Sequence, residues 1–251
     1  MITHLAAMNP NVSTEPHETH SLFQSILYHL LPGIPIVLFY MLVAPIWLER
    51  GWPAALTLCI AVPVVLVPTQ LLILFFQGYR KNHRLSLQGV LFYREKTPFK
   101  NYLIYGLVIV LWSGIIFAVL QKPLAAFFKD HVVSFLPQWM LLNEFEGSRS
   151  VLLTTIILIM IFGNIVGPAV EELYFRGFLL PRIKGGDSKK ILLNSFLFAF
   201  YHFWSPWDFL VRGIAVLPVA YTAVKKRNFY IGMIAHIALN VLSSISLFTL
   251  L

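Results

Sequence analysis

Gly167-Pro-Ala-Val-Glu171-Glu172-Leu-Tyr-Phe-Arg176-Gly-Phe-Leu-Leu180 is an apolar stretch with two glutamates and an arginine set into it. At the centre of a membrane helix each charged side chain costs roughly 2.5–3.5 kcal/mol on insertion scales. Three within six residues are tolerable only where they face a protein interior or a water-filled cavity, and such groups mark function by default. The fold and the function both turn on what these charges face.

The rest of the chain supports a membrane setting. Of 251 residues 58% are hydrophobic and 12% charged, against about 25% charged in a soluble domain. The composition predicts an all-α polytopic membrane protein, a bundle of about seven transmembrane helices (eight if 124–142 also spans). A net charge of +8 is read as the positive-inside bias of membrane loops, so nucleic acid is not an expected partner. A single cysteine, Cys59, allows no intramolecular disulfide and no cysteine-based metal site.

Spans need about 20 mostly apolar residues, and the candidates are 25–48, 52–77, 102–120, 151–180, 191–206, 207–224 and 229–251. The fifth and sixth are short and separated only around Ser205-Pro206-Trp207-Asp208, which predicts a tight helical hairpin. Pro32, Pro35, Pro63 and Pro68 interrupt the first two, so neighbouring helices must satisfy the backbone groups they free. Segment 124–142 carries Lys129, Asp130, His131 and Pro137 and is expected to be an interfacial helix rather than an eighth span. Three organisational units follow: a polar cytoplasmic tail over 1–24, N-terminal spans and loops over 25–149, and core helices over 150–251. Residues 1–20 contain no Lys or Arg and so lack the basic region of a cleavable signal.

Loop charge sets the expected orientation. Arg80, Lys81, Arg84, Arg94, Lys96 and Lys100 share one side with Arg182, Lys184, Lys189, Lys190, Lys225, Lys226 and Arg227. The opposite side has only Arg50, Lys122, Lys129 and Arg149. Thirteen against four puts the N-terminus in the cytoplasm and the C-terminus outside.

Polar groups recur on later spans. The fourth brings Glu171, Glu172 and Arg176, the fifth His202, and the seventh His236 and Asn240. Residues four apart share a helix face, so His236 and Asn240 can address one target, and Glu172 with Arg176 forms a favourable acid-first pair. Glu171 and Glu172 point about 100° apart, which suggests different tasks. At 1.5 Å per residue Glu171 lies about 16 Å from Arg182, His202 about 18 Å from Lys190, and His236 and Asn240 about 13 and 20 Å from Arg227. One shared depth favours a single site over scattered polar contacts. Taken singly, a membrane histidine is more often helix-packing glue, and Glu172–Arg176 reads as a structural ion pair.

Glu171-Glu172-Leu-Tyr-Phe-Arg176, Phe198-Ala-Phe-Tyr-His202 and His236-Ile-Ala-Leu-Asn240 stand in that order on apolar helices. In this the chain resembles the CPBP family, the CAAX protease and bacteriocin-processing group of intramembrane endopeptidases, which includes the type II CAAX prenyl proteases. The resemblance covers about residues 150–250, and residues 1–149 carry no family mark. No His-Glu-x-x-His is present, which removes the zincin and site-2-protease readings.

The resemblance implies peptide hydrolysis in which Glu171 and His202 hold and deprotonate a water while His236 and Asn240 donate to the oxyanion. Glu172 and Arg176 support them. No cofactor is favoured, although Glu171, His202 and His236 match in type the three-ligand set of catalytic zinc, and the metal-dependent alternative stays open. The expected partners are a peptide or membrane-protein substrate, lipid-modified or not, and membrane lipids, in the plasma membrane of a bacterium. Two other classes compete: a non-catalytic binding, immunity or scaffold protein on the same fold, and a proton-coupled transporter using the same acids and histidines as a relay.

Overall fold

The computed structural model describes Pro16 and residues 18–142 and 145–251; of the predicted polar tail, residues 1–15 and 17 lie outside the described residues. The protein is an all-α, polytopic integral membrane protein. Among the described residues six helices are long and apolar enough to cross a membrane: α1 (Leu22–Leu48), α2 (Ala54–Asn82), α3 (Phe99–His131), α4 (Arg149–Arg182), α6 (Pro206–Lys226) and α7 (Tyr230–Leu250). Between α4 and α6 runs the shorter α5 (Asp187–Phe200), which packs against α6 as the predicted hairpin. Large apolar side chains such as Leu42, Leu72 and Phe76 point outward, while Thr57, Gln70, Ser113, Glu172, Arg176 and Asn194 are buried. A soluble protein would invert this arrangement.

One expectation fails. Residues 124–131 are not a separate interfacial helix but the last turns of α3, which runs through Pro123 to His131. Only a five-residue helix, Gln138–Leu142, follows in that segment. The charged end of α3 is anchored rather than released, because Lys129 lies 4.6 Å from the Trp207 ring centre and its ammonium donates to the Leu141 carbonyl.

Prolines break these helices, and neighbouring segments make good the loss. A proline withholds its N–H from the carbonyl four residues back, and in lipid that carbonyl must find another donor. Pro32 frees the Tyr28 carbonyl, which the Tyr174 hydroxyl of α4 takes at 2.7 Å. Pro181 frees the Gly177 carbonyl, and the Phe92 backbone N–H donates to it at 2.9 Å. Pro218 frees the Ile214 carbonyl, and the Trp112 indole of α3 donates to it at 3.0 Å; the Ser113 hydroxyl donates to the adjacent Ala215 carbonyl at 2.8 Å. Each break thereby becomes a cross-link to another helix or, for Pro181, to the loop between α2 and α3.

Three basic loops gather at one end of the bundle. Arg94 pairs by an isolated bridge with Asn228, and His20 with Ile183. The Glu95 N–H donates to the Arg227 carbonyl at 2.8 Å.

At mid-bundle α1 presses on the segment after α5. A Cβ on Gly33 would land on the Tyr201 carbonyl oxygen and within 2.9 Å of the Phe203 ring, whereas a Cβ on Gly106 would meet nothing within 4 Å. Gly33→Ala is therefore expected to lower the thermal midpoint of the detergent-solubilised protein, at a cost of about 1–3 kcal/mol. Gly106→Ala should leave the midpoint unchanged or raise it slightly.

Candidate active site

α4 is not a uniform helix. Its turns over Ile159–Val166 and Glu172–Leu179 are π-helical, wider turns that are frequent at functional sites. Glu171 closes the α-helical turn between them. This places Glu171 and Glu172 on different faces and gives them different partners.

Glu172 and Arg176 form an ion pair at 3.2 Å with both side chains fully buried. The same Glu172 oxygen lies 3.0 Å from His236 Nδ1, so one carboxylate ties α4 to α7. The Arg176 guanidinium also sits 4.0 Å from the Phe198 ring centre. Phe198 in turn meets the rings of His202 and His236 edge-on, at centroid separations of 5.0 and 6.0 Å. It is the apolar spacer that keeps the two histidines apart.

Glu171 turns instead toward α5, where it accepts a hydrogen bond from the Tyr201 hydroxyl. α5 ends at Phe200, and His202 lies just past that end, with Nδ1 2.8 Å from the Phe198 carbonyl. A carbonyl can only accept, so Nδ1 carries the proton and a neutral His202 leaves Nε2 as an acceptor. His236 has the same commitment, its Nδ1 donating to Glu172. Both histidines therefore offer Nε2 for chemistry.

Glu171, His202, His236 and Asn240 line one cavity of about 400 Å³, together with Ser113, Trp204 and Arg212. Helices α2, α3, α4, α6 and α7 all contribute walls. The α2 lining runs from Ala55 to Leu66, so the cavity extends from mid-bundle toward the end away from the basic loops. The Asn240 amide donates to the Gly163 carbonyl at 3.4 Å, a long bond that leaves its second N–H uncommitted. Glu172 and Arg176 stand behind the wall rather than on it.

A buried polar relay holds α4 from behind. His29 Nδ1 donates to the Ser25 carbonyl at 2.6 Å, and the Asn194 amide nitrogen lies 3.0 Å from His29 Nε2 and 3.0 Å from the Phe175 carbonyl. It links α1, α5 and the π-helical turns that carry Glu172 and Arg176.

Tyr201 and Arg212 were not singled out from the sequence. Arg212 had a usable signal, being a charge inside an apolar span just as Glu171 is. Tyr201 had none, since tyrosine is common at such positions.

A zinc ion would need three protein ligands converging on one point. Among the described residues no group of three His, Cys, Asp or Glu side chains is arranged to hold a metal ion. Glu171, His202 and His236 share the cavity but do not fit that requirement in this arrangement.

Residues 153–242 match the family model described as Rce1-like, type II CAAX prenyl endopeptidase. The matched segment runs from α4 into α7 and contains every site residue from Glu171 to Asn240. No curated protein and no solved structure gives a match.

Removing Glu172 should strand the Arg176 cation and leave the His236 Nδ1 donor without its acceptor. Glu172→Leu leaves Arg176 buried without a counter-charge and is expected to cost about 3–5 kcal/mol, read as a large drop in thermal midpoint and folded yield. The double replacement Glu172→Leu with Arg176→Met should recover most of that stability.

Proposed function

Because residues 153–242 match the Rce1-like type II CAAX prenyl endopeptidase model, we propose that the protein is an intramembrane endopeptidase of the glutamate type. One observation carries this reading: Glu171 of α4, His202 just past α5, and His236 and Asn240 of α7 line one cavity, and both histidines have Nδ1 committed, which leaves Nε2 for chemistry.

Hydrolysis needs an activated water and a place for the charge that develops on the carbonyl oxygen. Glu171 takes a proton from the water and passes it to the leaving amine, the two-step role of a general base that becomes a general acid. The Tyr201 hydroxyl orients the Glu171 carboxyl. His202, with Nε2 as acceptor, holds the water against the substrate carbonyl. His236 is charged when Nε2 acquires a proton, and Glu172 is placed to balance that charge. Protonated His236 and the Asn240 amide then donate to the oxyanion, a contribution of about 3–4 kcal/mol per donor in soluble proteases. Glu172 acts through His236, as a positioning residue.

The substrate is a peptide or membrane protein, lipid-modified or not, reached within the bilayer. The basic end of the bundle faces the cytoplasm, which puts the N-terminus inside and the C-terminus outside the plasma membrane of a bacterial cell.

Glu171→Ala and His202→Ala should each abolish cleavage, while the purified variants keep the thermal midpoint of the parent within a few degrees. Wild-type turnover by either would sink the assignment, and would favour a binding or scaffold protein if substrate capture persisted. Comparing membrane proteomes of parent and Glu171→Ala cells should reveal the substrate as an uncut protein that accumulates. Loss of activity in chelator with recovery on adding zinc would replace the glutamate mechanism with a metal-dependent one.

Orientation is testable separately. Alkaline phosphatase fused after Leu251 should be active, and fused within the loop at 225–228 inactive. The reverse pattern would invert the topology.

A further inference from the structure

Water activation and oxyanion binding leave one charged group of the cavity unused. Among the described residues Arg212 is the only lysine or arginine on the cavity wall, since Arg176 is tied to Glu172 behind it. A guanidinium carries five N–H donors in a planar fork that matches a carboxylate. Here Nη2 donates to the Ser205 hydroxyl at 3.0 Å, and Nη1 is buried without a hydrogen-bond partner. Asp208, one turn earlier, lies 3.8 Å away, beyond hydrogen-bond range. Arg212 is the strongest charged neighbour of Asp208, which also interacts with Gln121, Lys129 and Trp207.

Bracing the α5–α6 hairpin would call for a close, bidentate pair, which Arg–carboxylate contacts form readily. The pair is instead loose, and the guanidinium stays on the wall of the cavity that holds Glu171. An arginine inside a membrane bundle in this state leaves one donor group, Nη1, without the acceptor it needs. An anion entering the cavity would supply it.

We propose that Arg212 is a specificity residue that binds a carboxylate of the substrate while Glu171 and His202 act on the scissile bond. This rests on the peptidase reading of the same cavity. A substrate offers that group either as its C-terminal carboxylate or as an Asp or Glu side chain, and the two sources are separable by experiment.

The test uses the full-length protein in detergent with three quenched-fluorescent peptides of one sequence, each bearing a prenylated cysteine. One is a C-terminal free acid, one the C-terminal amide, and one an amide whose last residue is replaced by Asp. Cleavage is measured as kcat/KM, and binding by fluorescence anisotropy on the Glu171→Gln variant. The parent should prefer a carboxylate-bearing peptide over the plain amide by about tenfold or more, the size of one charge-assisted hydrogen bond. The favoured arm names the source of the carboxylate. Arg212→Gln should treat acid and amide alike, Arg212→Lys should keep part of the preference, and Asp208→Asn should widen it by removing the competing acid.

Equal handling of all three peptides by the parent, or an undiminished preference in Arg212→Gln, overturns the assignment. An equal loss on acid and amide in Arg212→Gln also overturns it, in favour of an oxyanion or bracing role. If Arg212→Gln does not fold, the acid-to-amide contrast in the parent and its change in Asp208→Asn decide the matter. Acid-selective binding without cleavage of any peptide sinks the peptidase reading and leaves Arg212 as an anion site. Cleavage without acid selectivity does the reverse, and neither binding nor cleavage overturns both.

Discussion

The structure depends on the Glu172 carboxylate. In water a glutamate within reach of an arginine and a histidine contributes little, because solvent screens each pair. Inside the bundle the same carboxylate is fully buried and meets Arg176 at 3.2 Å and His236 at 3.0 Å. It neutralises a guanidinium that could not otherwise be there, and it fixes the tautomer and plane of a histidine on another helix. With His236 held, Phe198 is seated between the two histidines, and His202 takes its orientation from the Phe198 carbonyl. The cavity on which Glu171, His202, His236 and Asn240 converge is thus set from behind its wall.

The backbone follows the same physics. Lipid offers no hydrogen bonds to a broken helix, so every proline creates a demand that a neighbour must meet. Tyr174, Phe92 and Trp112 meet three of those demands. Two of the three contacts hold α4, the helix that carries Glu171, Glu172 and Arg176. The third holds the break in α6 just after Arg212. Helix irregularity and site geometry are therefore linked: the bends that shape the cavity are also the points at which the helices are fastened together.

Much of this was legible along the chain. Glu171, Glu172, His202, His236 and Asn240 stood out because each interrupts an apolar run, and the cost of placing such groups in lipid implies a common interior. The hairpin of α5 and α6 was readable from the spacing around Ser205 and Pro206, and the pairing of Glu172 with Arg176 from their four-residue separation. Segment 124–142 was misread because Lys129 and Asp130 resemble the polar face of an interfacial helix. Lys129 is instead drawn to the Leu141 carbonyl and to Trp207, the latter a contact remote in sequence. The His29–Asn194–Phe175 relay was also missed, since a histidine near the end of a first span looks like an ordinary interfacial residue.

What the sequence determined by itself was the all-α membrane architecture, the concentration of basic loops, and the identity of the polar residues that lipid would not tolerate. Those follow from local composition, because the bilayer charges each residue for its own polarity. The tertiary structure alone decided who answers whom: Glu172 reaching His236 across two helices, Tyr201 capping Glu171, and Arg212 left on the cavity wall with Asp208 at arm's length. Partner choice of this kind depends on helix rotation and on the wider turns of α4, which shift every later side chain around the axis, and no single span carries that information.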